Sequence, residues 1–470
     1  MFLPEEFIER TRQLMGETEC KDLCEALQNE SPVSIRINSG KNTPTPQAST
    51  PVPWAKEGFY LEERPTFTFD PLFHAGYYYV QEAASMFIAH AISSYVHTPT
   101  LMLDLCAAPG GKSTLARSVL PEGSMLVANE VMRNRSQVLA ENLIKWGHPG
   151  VIVTNNDPAD FTPLGPLFDV ILTDVPCSGE GMFRKDENAI KEWSTDGVDL
   201  CWKRQRRIVA DVWPCLKPGG ILIYSTCTFN REENEDNVTW IANELGAEVL
   251  PVEVENDWNI TGNLTGADFP VYRFLPHRTG GEGLFVAVLR KTGEADEEFN
   301  IPRKASKQGN TKKGKNTQTI VFPKDTTNWL CHEKGYTFRI EGTEAKAIPA
   351  AYTEIYDYLK SSLRILHAGI TLAEQKGKDW QPSHTLAMSI ELEKQAFPRT
   401  ELTYPQALAY LRREAITLDA SVPKGYVLVT YQEVALGFVK NLGNRANNLY
   451  PQEWRIRSGY TPEEIKMVSF

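Results

Sequence analysis

Two cysteines in short motifs are candidates for nucleophilic chemistry. Cys177 lies in the segment DVPCSGEG, shortly after Asp174, and Cys227 lies in YSTCT. A free thiol is only slightly ionised at neutral pH, so a reactive cysteine needs surroundings that activate it. Either cysteine alone is better explained as a small buried core residue. Together they predict covalent catalysis if the fold brings them to one place.

A loop of small residues precedes both motifs and spans 106–112 with the sequence CAAPGGK. The loop lacks the G-x-G-x-x-G pattern of dinucleotide sites. Its end, Gly111-Lys112-Ser113, fits the P-loop of NTPases, but Cys106 replaces the glycine that such a loop requires. The third interpretation is an S-adenosylmethionine pocket, in which small residues let the backbone approach the ligand. Glu130 would then bind the ribose hydroxyls and Asp157 the adenine amino group.

The elements around these motifs alternate between strands and helices. This alternation predicts a doubly wound, mostly parallel sheet with helices on both faces. Ligands bind such sheets at the carboxyl ends of the strands, where the loop, the acids and the two thiols all lie. If the fourth and fifth strands are neighbours, the thiols share one edge. Strands are predicted at 101–105, 125–128, 151–154, 168–173, 220–225 and 283–289, and helices from 113, over 133–146 and 200–216, and from about 231.

Two thiols beside an acid fit the methylation of C5 of cytosine, whereas an NTPase has no use for them. C5 of cytosine is a poor nucleophile. A thiolate that adds to C6 makes C5 enamine-like, so that C5 takes a methyl group from a sulfonium. A second group must then remove the C5 proton before the thiolate leaves. The target base must also leave its stack or be single-stranded.

These residues resemble the RNA cytosine-C5 methyltransferases that have two active-site cysteines and depend on S-adenosylmethionine. The resemblance covers about residues 30–290 and implies a class I, Rossmann-like methyltransferase domain. Its motifs are YYVQEAASM at 78–86, LDLCAAPGGK at 103–112, TDVPCSGEG at 173–181 and STCT at 225–228.

The resemblance also implies roles for individual residues. Cys227 would be the nucleophile on C6, Cys177 would assist breakdown of the adduct, and Asp174 would lie between cofactor and cytosine. Arg184 and Lys185 would contact RNA phosphate, although a solvated loop explains them as well. Glu130 would bind ribose and Asp157 would lie near adenine. The methionine part of the cofactor would be bound by Cys106, Ala107, Ala108, Pro109, Gly110, Gly111 and Lys112.

The C-terminal segment narrows the resemblance to the bacterial branch that modifies small-subunit ribosomal RNA. The similar stretches are 437–451 and HAGI at 367–370 with KGK at 376–378. They imply a small PUA-like, β-rich RNA-binding domain, in which Tyr450 could stack on a base. The catalytic motifs leave tRNA open as the alternative substrate. A basic cluster in this segment would contact RNA and consists of Lys440, Arg445, Arg455 and Arg457.

Composition bounds these interpretations. The chain has 470 residues and a net charge of −11, which by itself argues against a nucleic-acid partner, so any RNA contact must come from local basic clusters. No apolar run approaches the roughly 20 residues of a membrane span, and the N-terminus lacks a secretory signal. The eight cysteines show no zinc spacing. We therefore expect a cytoplasmic protein without a metal, and nothing demands a dimer.

The segments divide into an N-terminal α+β domain at 1–95, a methyltransferase domain at 96–292, a flexible charged linker at 293–320, an intermediate α+β domain at 321–395 and a PUA-like domain at 396–470. The basic half of the linker is either a solubilising tether or an auxiliary phosphate contact. Within the first domain, a helix is predicted at 5–27, a strand at 33–38 and a loop at 39–58. Paired strands are predicted at 426–430 and 436–439.

Overall fold

The computed structural model describes residues 2–294, 322–460 and 462–470, so the predicted linker lies almost wholly outside the described residues. The helices are α1 (Glu5–Met15), α2 (Glu17–Ala26), α3 (Pro71–His74), α4 (Phe87–Tyr95), α5 (Gly111–Val119), α6 (Arg133–Trp146), α7 (Glu187–Glu192), α8 (Thr195–Val212), α9 (Glu235–Leu245), α10 (Thr353–Lys360), α11 (His384–Met388) and α12 (Tyr404–Leu411).

Among the described residues, the strands form four sheets. Their bounds are β1 (Val33–Ile37), β2 (Ser49–Val52), β3 (Ala55–Leu61), β4 (Tyr78–Val80), β5 (Leu101–Asp104), β6 (Met125–Asn129), β7 (Val151–Thr154), β8 (Phe168–Asp174), β9 (Leu216–Thr226), β10 (Ala247–Leu250), β11 (Tyr272–Phe274), β12 (Leu284–Lys291), β13 (Tyr336–Glu341), β14 (Glu344–Pro349), β15 (Ile365–Ala368), β16 (Ile370–Lys376), β17 (Asp379–Pro382), β18 (Arg399–Glu401), β19 (Gly425–Tyr431), β20 (Val434–Asn441) and β21 (Ala446–Asn448).

The central sheet confirms the predicted mostly parallel, doubly wound architecture. Its strand order is β10-β12-β9-β8-β5-β6-β7-β15, and β11 pairs with β12. The inner strands β7, β6, β5, β8 and β9 are parallel, while the outer strands β12, β10 and β15 pair antiparallel. Strand β8 is hydrogen-bonded to β9, and Asp174 lies opposite Ser225. The two thiol-bearing loops therefore leave the sheet at the same edge.

The N-terminal sheet, in the order β2-β3-β1-β4, corrects two predictions. The single helix predicted over 5–27 is two helices, because Gly16 has a φ of 87° that interrupts α1 and α2. The loop predicted over 39–58 contains β2 and the start of β3. Its proline content misled the prediction, since Pro51 lies on an edge strand, where proline is tolerated. Burial of Val52 and Trp54 holds this hairpin against the core.

Two helix predictions missed their boundaries. The helix predicted over 200–216 spans Thr195–Val212, because the Ser194 hydroxyl caps its first turn by accepting from the Gly197 N–H and Pro214 follows its end. The helix predicted from about 231 begins at Glu235. The intervening residues form the turn that follows the Cys227 loop.

The C-terminal half forms two smaller sheets, in the orders β13-β14-β16-β17 and β18-β19-β20-β21. The predicted pairing of strands near 426–430 and 436–439 is confirmed by β19 and β20. Strand β15 leaves this half and pairs antiparallel with β7, so it extends the central sheet. Tyr356, Leu359 and Ala368 accordingly belong to the same apolar cluster as the central strands. Among the described residues, no helix is long and apolar enough to cross a membrane.

Candidate active site

The two candidate thiols lie side by side. The sulfur atoms of Cys177 and Cys227 are 3.0 Å apart, and both residues are half-buried free thiols. The hydrogen bond with Cys227 raises the pKa of Cys177 well above its usual range, and burial raises it further. Cys177 therefore holds its proton strongly, and its thiol can donate that proton in a hydrogen bond to the Cys227 sulfur. This geometry allows one sulfur to act as a nucleophile while the other sulfur is in contact with it.

Direct contacts between the two loops keep the thiols together. The Gly181 N–H donates to the Cys227 carbonyl at 2.8 Å, and the hydroxyls of Ser178 and Thr228 are 2.9 Å apart. A Cβ at position 181 would lie 2.8 Å from the same Cys227 carbonyl oxygen, closer than carbon atoms approach oxygen in real structures. Glycine at this position therefore lets the loops approach each other.

A cavity of about 370 Å³ opens beside Cys227. Its size falls within the range of small-molecule sites, roughly 300–1,000 Å³. Gly110, which has a φ of 116°, lies in the chain between the lining residues Pro109 and Gly111. Of the catalytic and cofactor-binding residues predicted from sequence, Gly110, Glu130, Asp157 and Cys177 are not among its lining residues. The lining brings together Cys106, Ala107, Ala108, Pro109, Gly111, Lys112, Asp174, Lys185 and Cys227.

Asp174 and Lys112 form an ion pair at the cavity wall. The Lys112 ammonium donates to Asp174 Oδ2 at 2.8 Å, and the Ser225 hydroxyl donates to Asp174 Oδ1 at 2.9 Å. Burial lowers the pKa of Lys112, but the charge and hydrogen bond of Asp174 outweigh it and leave the pKa raised. Lys112 is therefore a cation that fixes the Asp174 carboxylate, and a thiolate at Cys227 would also favour its charge.

Glu130 and Asp157 follow β6 and β7, as predicted. Glu130 is buried, accepts from the Met132 N–H at 2.8 Å and lies 3.6 Å from the Arg135 guanidinium. Arg135 also donates to the Ala108 carbonyl at 2.8 Å, which ties Glu130 to the glycine-rich loop. Asp157 caps the following turn by accepting from the Ala159 N–H at 3.1 Å. Both acids thus have local capping partners, and their roles toward a cofactor remain predictions.

Asp104 is a candidate site residue that the sequence reasoning missed. It ends β5, is separated from the glycine-rich loop by Leu105 alone, and is fully buried. Ser113 donates to Oδ2 at 2.6 Å, whereas Oδ1 has no hydrogen-bond partner among the described residues. Burial raises the pKa of Asp104 to about 7, the Ser113 bond opposes this, and Asp174 adds to it. A sequence signal for Asp104 exists, because it is a polar residue at the end of a strand, as Glu130 and Asp174 are.

The cavity, the loop and Asp104 together fit S-adenosylmethionine. The small side chains of the loop expose its backbone to the cavity. The unpartnered Oδ1 atom of Asp104 supplies an acceptor suited to a cationic ligand group. The P-loop interpretation fits less well, because Lys112 is bonded to Asp174 and Ser113 to Asp104. In the part of the chain that the structure describes, no cluster of three or more His, Cys, Asp or Glu residues could hold a metal ion.

Arg184 and Lys185 differ in their surroundings. The Arg184 side chain is only 6% exposed, pairs with Glu282 at 2.9 Å and donates to the Gly281 carbonyl at 2.7 Å. Lys185 is 36% exposed, lies 3.7 Å from Glu282 and lines the cavity. This geometry favours a structural role for Arg184 and leaves Lys185 accessible to a ligand.

In the C-terminal cluster, Arg445, Arg455 and Arg457 are exposed. Lys440 is half-buried, lies 3.4 Å from Asp379 and stands over the Tyr426 ring at 5.2 Å. The suggestion that Tyr450 stacks on a base is wrong, because Tyr450 is 1% exposed and packs against His384 and Tyr410.

Three protein-family profiles match the chain. Residues 95–290 match the profile described as 16S rRNA methyltransferase RsmB/F. Residues 3–83 match the N-terminal domain of 16S rRNA methyltransferase RsmF, and residues 397–456 match the methyltransferase RsmF PUA domain. The matched ranges lie in the N-terminal, central and C-terminal parts of the chain.

Curated relatives and solved structures agree with these matches. The chain is 31% identical to ribosomal RNA small subunit methyltransferase F of Klebsiella pneumoniae (strain 342), with 96% of each chain covered. It is 30% identical to the protein of the same name from Escherichia coli (strain K12), again over 96% of each. A methyltransferase homologue from Pyrococcus horikoshii is similar at 30% identity and a TM-score of 0.53, covering 61% of this chain and 95% of that one. The structure of NSun6 from Pyrococcus horikoshii with SFG shares the fold, at 20% identity and a TM-score of 0.53 over 62% and 99% of the two chains.

Proposed function

This chain belongs to the 16S rRNA methyltransferase RsmB/F family and is an S-adenosylmethionine-dependent methyltransferase, and on that premise we propose that it methylates C5 of a cytosine in small-subunit ribosomal RNA through a covalent Cys227 adduct. The observation that carries the proposal is the contact between the Cys227 and Cys177 sulfurs at 3.0 Å, beside the cavity lined by the glycine-rich loop. No observation in the structure favours tRNA, the alternative substrate.

The cofactor would supply a methyl group on a sulfonium centre, and the chain would hold it at the edge of the central sheet. Loop 106–112 would bind its methionine part, Glu130 its ribose and Asp157 its adenine. Asp104 Oδ1, which lacks a partner among the described groups, is an added candidate acceptor for the ammonium. Asp174, fixed by Lys112 and Ser225, would orient the cytosine between cofactor and thiols.

The two thiols would act in sequence. The Cys227 thiolate forms a bond to C6, which makes C5 nucleophilic enough to take the methyl group. Once Cys227 is bonded to C6, the hydrogen bond that most raises the pKa of Cys177 is lost, so Cys177 can give its own proton to solvent and take up the C5 proton. The electron pair of the C5–H bond restores C5=C6, and the C6–Sγ bond breaks to release Cys227 as a thiolate.

RNA would be bound on both sides of the catalytic domain. The proposed units are the N-terminal domain at 1–95, the methyltransferase domain at 96–292, and the domains at 321–395 and 396–470. Lys185 would meet phosphate at the cavity, and Lys440, Arg445, Arg455 and Arg457 would do so in the C-terminal domain. One chain supplies every site residue named, in keeping with a monomer, and a ribosomal substrate would place the protein in the cytoplasm.

The test compares Cys227→Ala with Cys331→Ala, an exposed cysteine outside the cavity lining. Cys227→Ala should bind S-adenosylmethionine as tightly as wild type by calorimetry, yet form no 5-methylcytidine when small ribosomal subunits from a deletion strain are the substrate. Cys331→Ala should retain wild-type turnover. Full turnover by Cys227→Ala would contradict the covalent mechanism. Tight ATP–magnesium binding without a cofactor signal would instead support the P-loop interpretation.

A further inference from the structure

A buried polar cluster lies behind the two thiols, and the proposed chemistry does not use it. It contains two carboxylates, Glu180 and Glu233, which are 2% and 0% exposed. Burying a carboxylate is costly unless several donors surround it. Each of these acids is surrounded by donors, and several of the donors lie in the loops that carry Cys177 and Cys227.

Each carboxylate reaches across to the opposite loop. Glu180 belongs to the Cys177 loop, and its Oε2 accepts from the N–H groups of Phe229 and Asn230, just after Cys227, at 2.6 and 3.0 Å. Glu233 follows the Cys227 loop, and its Oε2 accepts from the Ser178 N–H, next to Cys177, at 3.0 Å. The two loops are therefore braced in both directions.

Two amide side chains connect and anchor this brace. The Asn230 amide nitrogen lies 3.0 Å from Glu180 Oε1 and 2.8 Å from Glu233 Oε1, so it bridges the two acids. Gln205, from α8, donates to Glu233 Oε2 at 2.6 Å and to the Pro176 carbonyl at 3.0 Å. Through Gln205, helix α8 therefore fixes both Glu233 and Pro176, the residue before Cys177.

We propose that Glu233 and Glu180 are positioning residues that hold the Cys177 sulfur against the Cys227 adduct, so that removal of the C5 proton keeps pace with methyl transfer. This inference rests on the proposed function. Burial, together with the charge of Glu180, raises the pKa of Glu233 to about 7. Neither acid lines the cavity beside Cys227, so both act through the loops.

The brace makes a specific prediction for Glu233→Gln. The new amide keeps only one acceptor oxygen, so its NH2 group must face either Asn230 or the pair Ser178 and Gln205, all of which donate to Glu233 now. Either way the brace loses one of its two sides, and the Cys177 loop is held less firmly. Cys227 remains held through Glu180 and Gly181, so its adduct should still form and accept the methyl group. Resolution of the adduct should slow by roughly ten- to hundredfold, because small misplacements of a reacting group cost about that much.

The experiment expresses the full-length variants in a strain that lacks the wild-type gene and measures denaturant-resistant protein–RNA complexes. Cys177→Ala is the benchmark for a trapped adduct. Glu232→Gln is the matched control, because Glu232 pairs with Arg10 at 2.9 Å near the surface and bonds to neither thiol loop. Glu233→Gln should accumulate adduct containing 5-methylcytosine at roughly tenfold the wild-type level or more, with unchanged affinity for S-adenosylmethionine. Glu232→Gln should match wild type.

The outcomes separate the two proposals. If Cys177→Ala traps adduct while a cofactor-binding Glu233→Gln does not exceed wild type, the positioning role is wrong and the covalent mechanism stands. If Cys177→Ala traps no adduct, the proposed covalent mechanism is wrong, and so is this inference, which rests on it. If Glu233→Gln does not fold, Gln205→Met replaces it under the same criterion. This change removes the anchor from α8, while Tyr224 and Asn237, which also donate to Gln205, keep other hydrogen-bond partners.

Discussion

Replacing Gly181 with alanine adds one methyl group between the two thiol loops. The added Cβ would lie 2.8 Å from the Cys227 carbonyl oxygen and 3.4 Å from that of Gly283. The Gly181 N–H donates to the same Cys227 oxygen at 2.8 Å, so the methyl group and the hydrogen bond compete for one place. The loops must separate to admit the new atom.

The size of the effect follows from this distance. Carbon–oxygen contacts are comfortable at about 3.3–3.6 Å, so the loops must part by roughly half an ångström or more. A misplacement of about 1 Å lowers the rate roughly hundredfold. If the logarithm of the rate falls in proportion to the displacement, a shift of about 0.5 Å lowers the rate about tenfold. Overpacking should also lower the free energy of unfolding by about 1–3 kcal/mol. Methyl transfer by Gly181→Ala should therefore fall about tenfold in a protein that still folds.

The assay is single-turnover formation of 5-methylcytidine, with cofactor affinity and thermal unfolding measured in parallel. Gly262→Ala is the control, because Gly262 is exposed and an added Cβ there meets nothing within 4 Å. The control should match wild type in every measurement. A wild-type rate in Gly181→Ala would refute the argument that close approach of the loops sets the rate.

Three further predictions follow from buried and exposed charges. Arg184→Ala removes the nearer of the two cations beside the buried Glu282 carboxylate and leaves Lys185 at 3.7 Å, so it should lower the free energy of unfolding by about 3 kcal/mol in urea, whereas loss of a phosphate contact alone would leave it unchanged. Burial raises the pKa of Asp104 to about 7, so between about pH 4 and 7 the folded state holds a proton that the unfolded state has lost. The free energy of unfolding should therefore fall as the pH rises from about 4 to 7, and Asp104→Asn should make this fall smaller in denaturation curves. A pH dependence that is the same in wild type and Asp104→Asn would contradict the raised pKa. Arg455→Ala and Arg457→Ala should each weaken RNA binding and reduce the slope of log affinity against log salt by about 1, and an unchanged slope would exclude them as phosphate contacts.

The central sheet could be predicted because its strands are short apolar runs between clear turn signals. The observed β7 and α6 match their predicted bounds, and β5, β6 and β8 differ by a residue at one end. The antiparallel pairing of β15 with β7 could not be predicted, since it joins segments far apart in the chain. That pairing also means that removal of the C-terminal half would strip a strand from the sheet, so single substitutions test RNA binding more cleanly than truncation.

The candidate active site, like the central sheet, could be predicted only in part from the sequence. Adjacency of the thiols follows from neighbouring strand ends, but their 3.0 Å separation depends on loop contacts that leave no pattern in the sequence. Nothing in the sequence around Glu180 and Glu233 marks them as buried acids, although the structure buries both. Arg184 likewise reads as a phosphate ligand until its partner, Glu282, is seen. Pairing of charges across long sequence separations is set by tertiary packing, which local pattern does not encode.

The central claim is a covalent Cys227 intermediate that Cys177 resolves. The direct measurement expresses wild type, Cys177→Ala and Cys227→Ala in a strain that lacks the native gene, isolates denaturant-resistant protein–RNA complexes and sequences the attached RNA. Cys177→Ala alone should accumulate a complex, and the RNA should be small-subunit ribosomal RNA linked at one defined cytosine. A complex that forms with Cys227→Ala instead, or that carries tRNA, would contradict the assignment of the thiols or of the substrate.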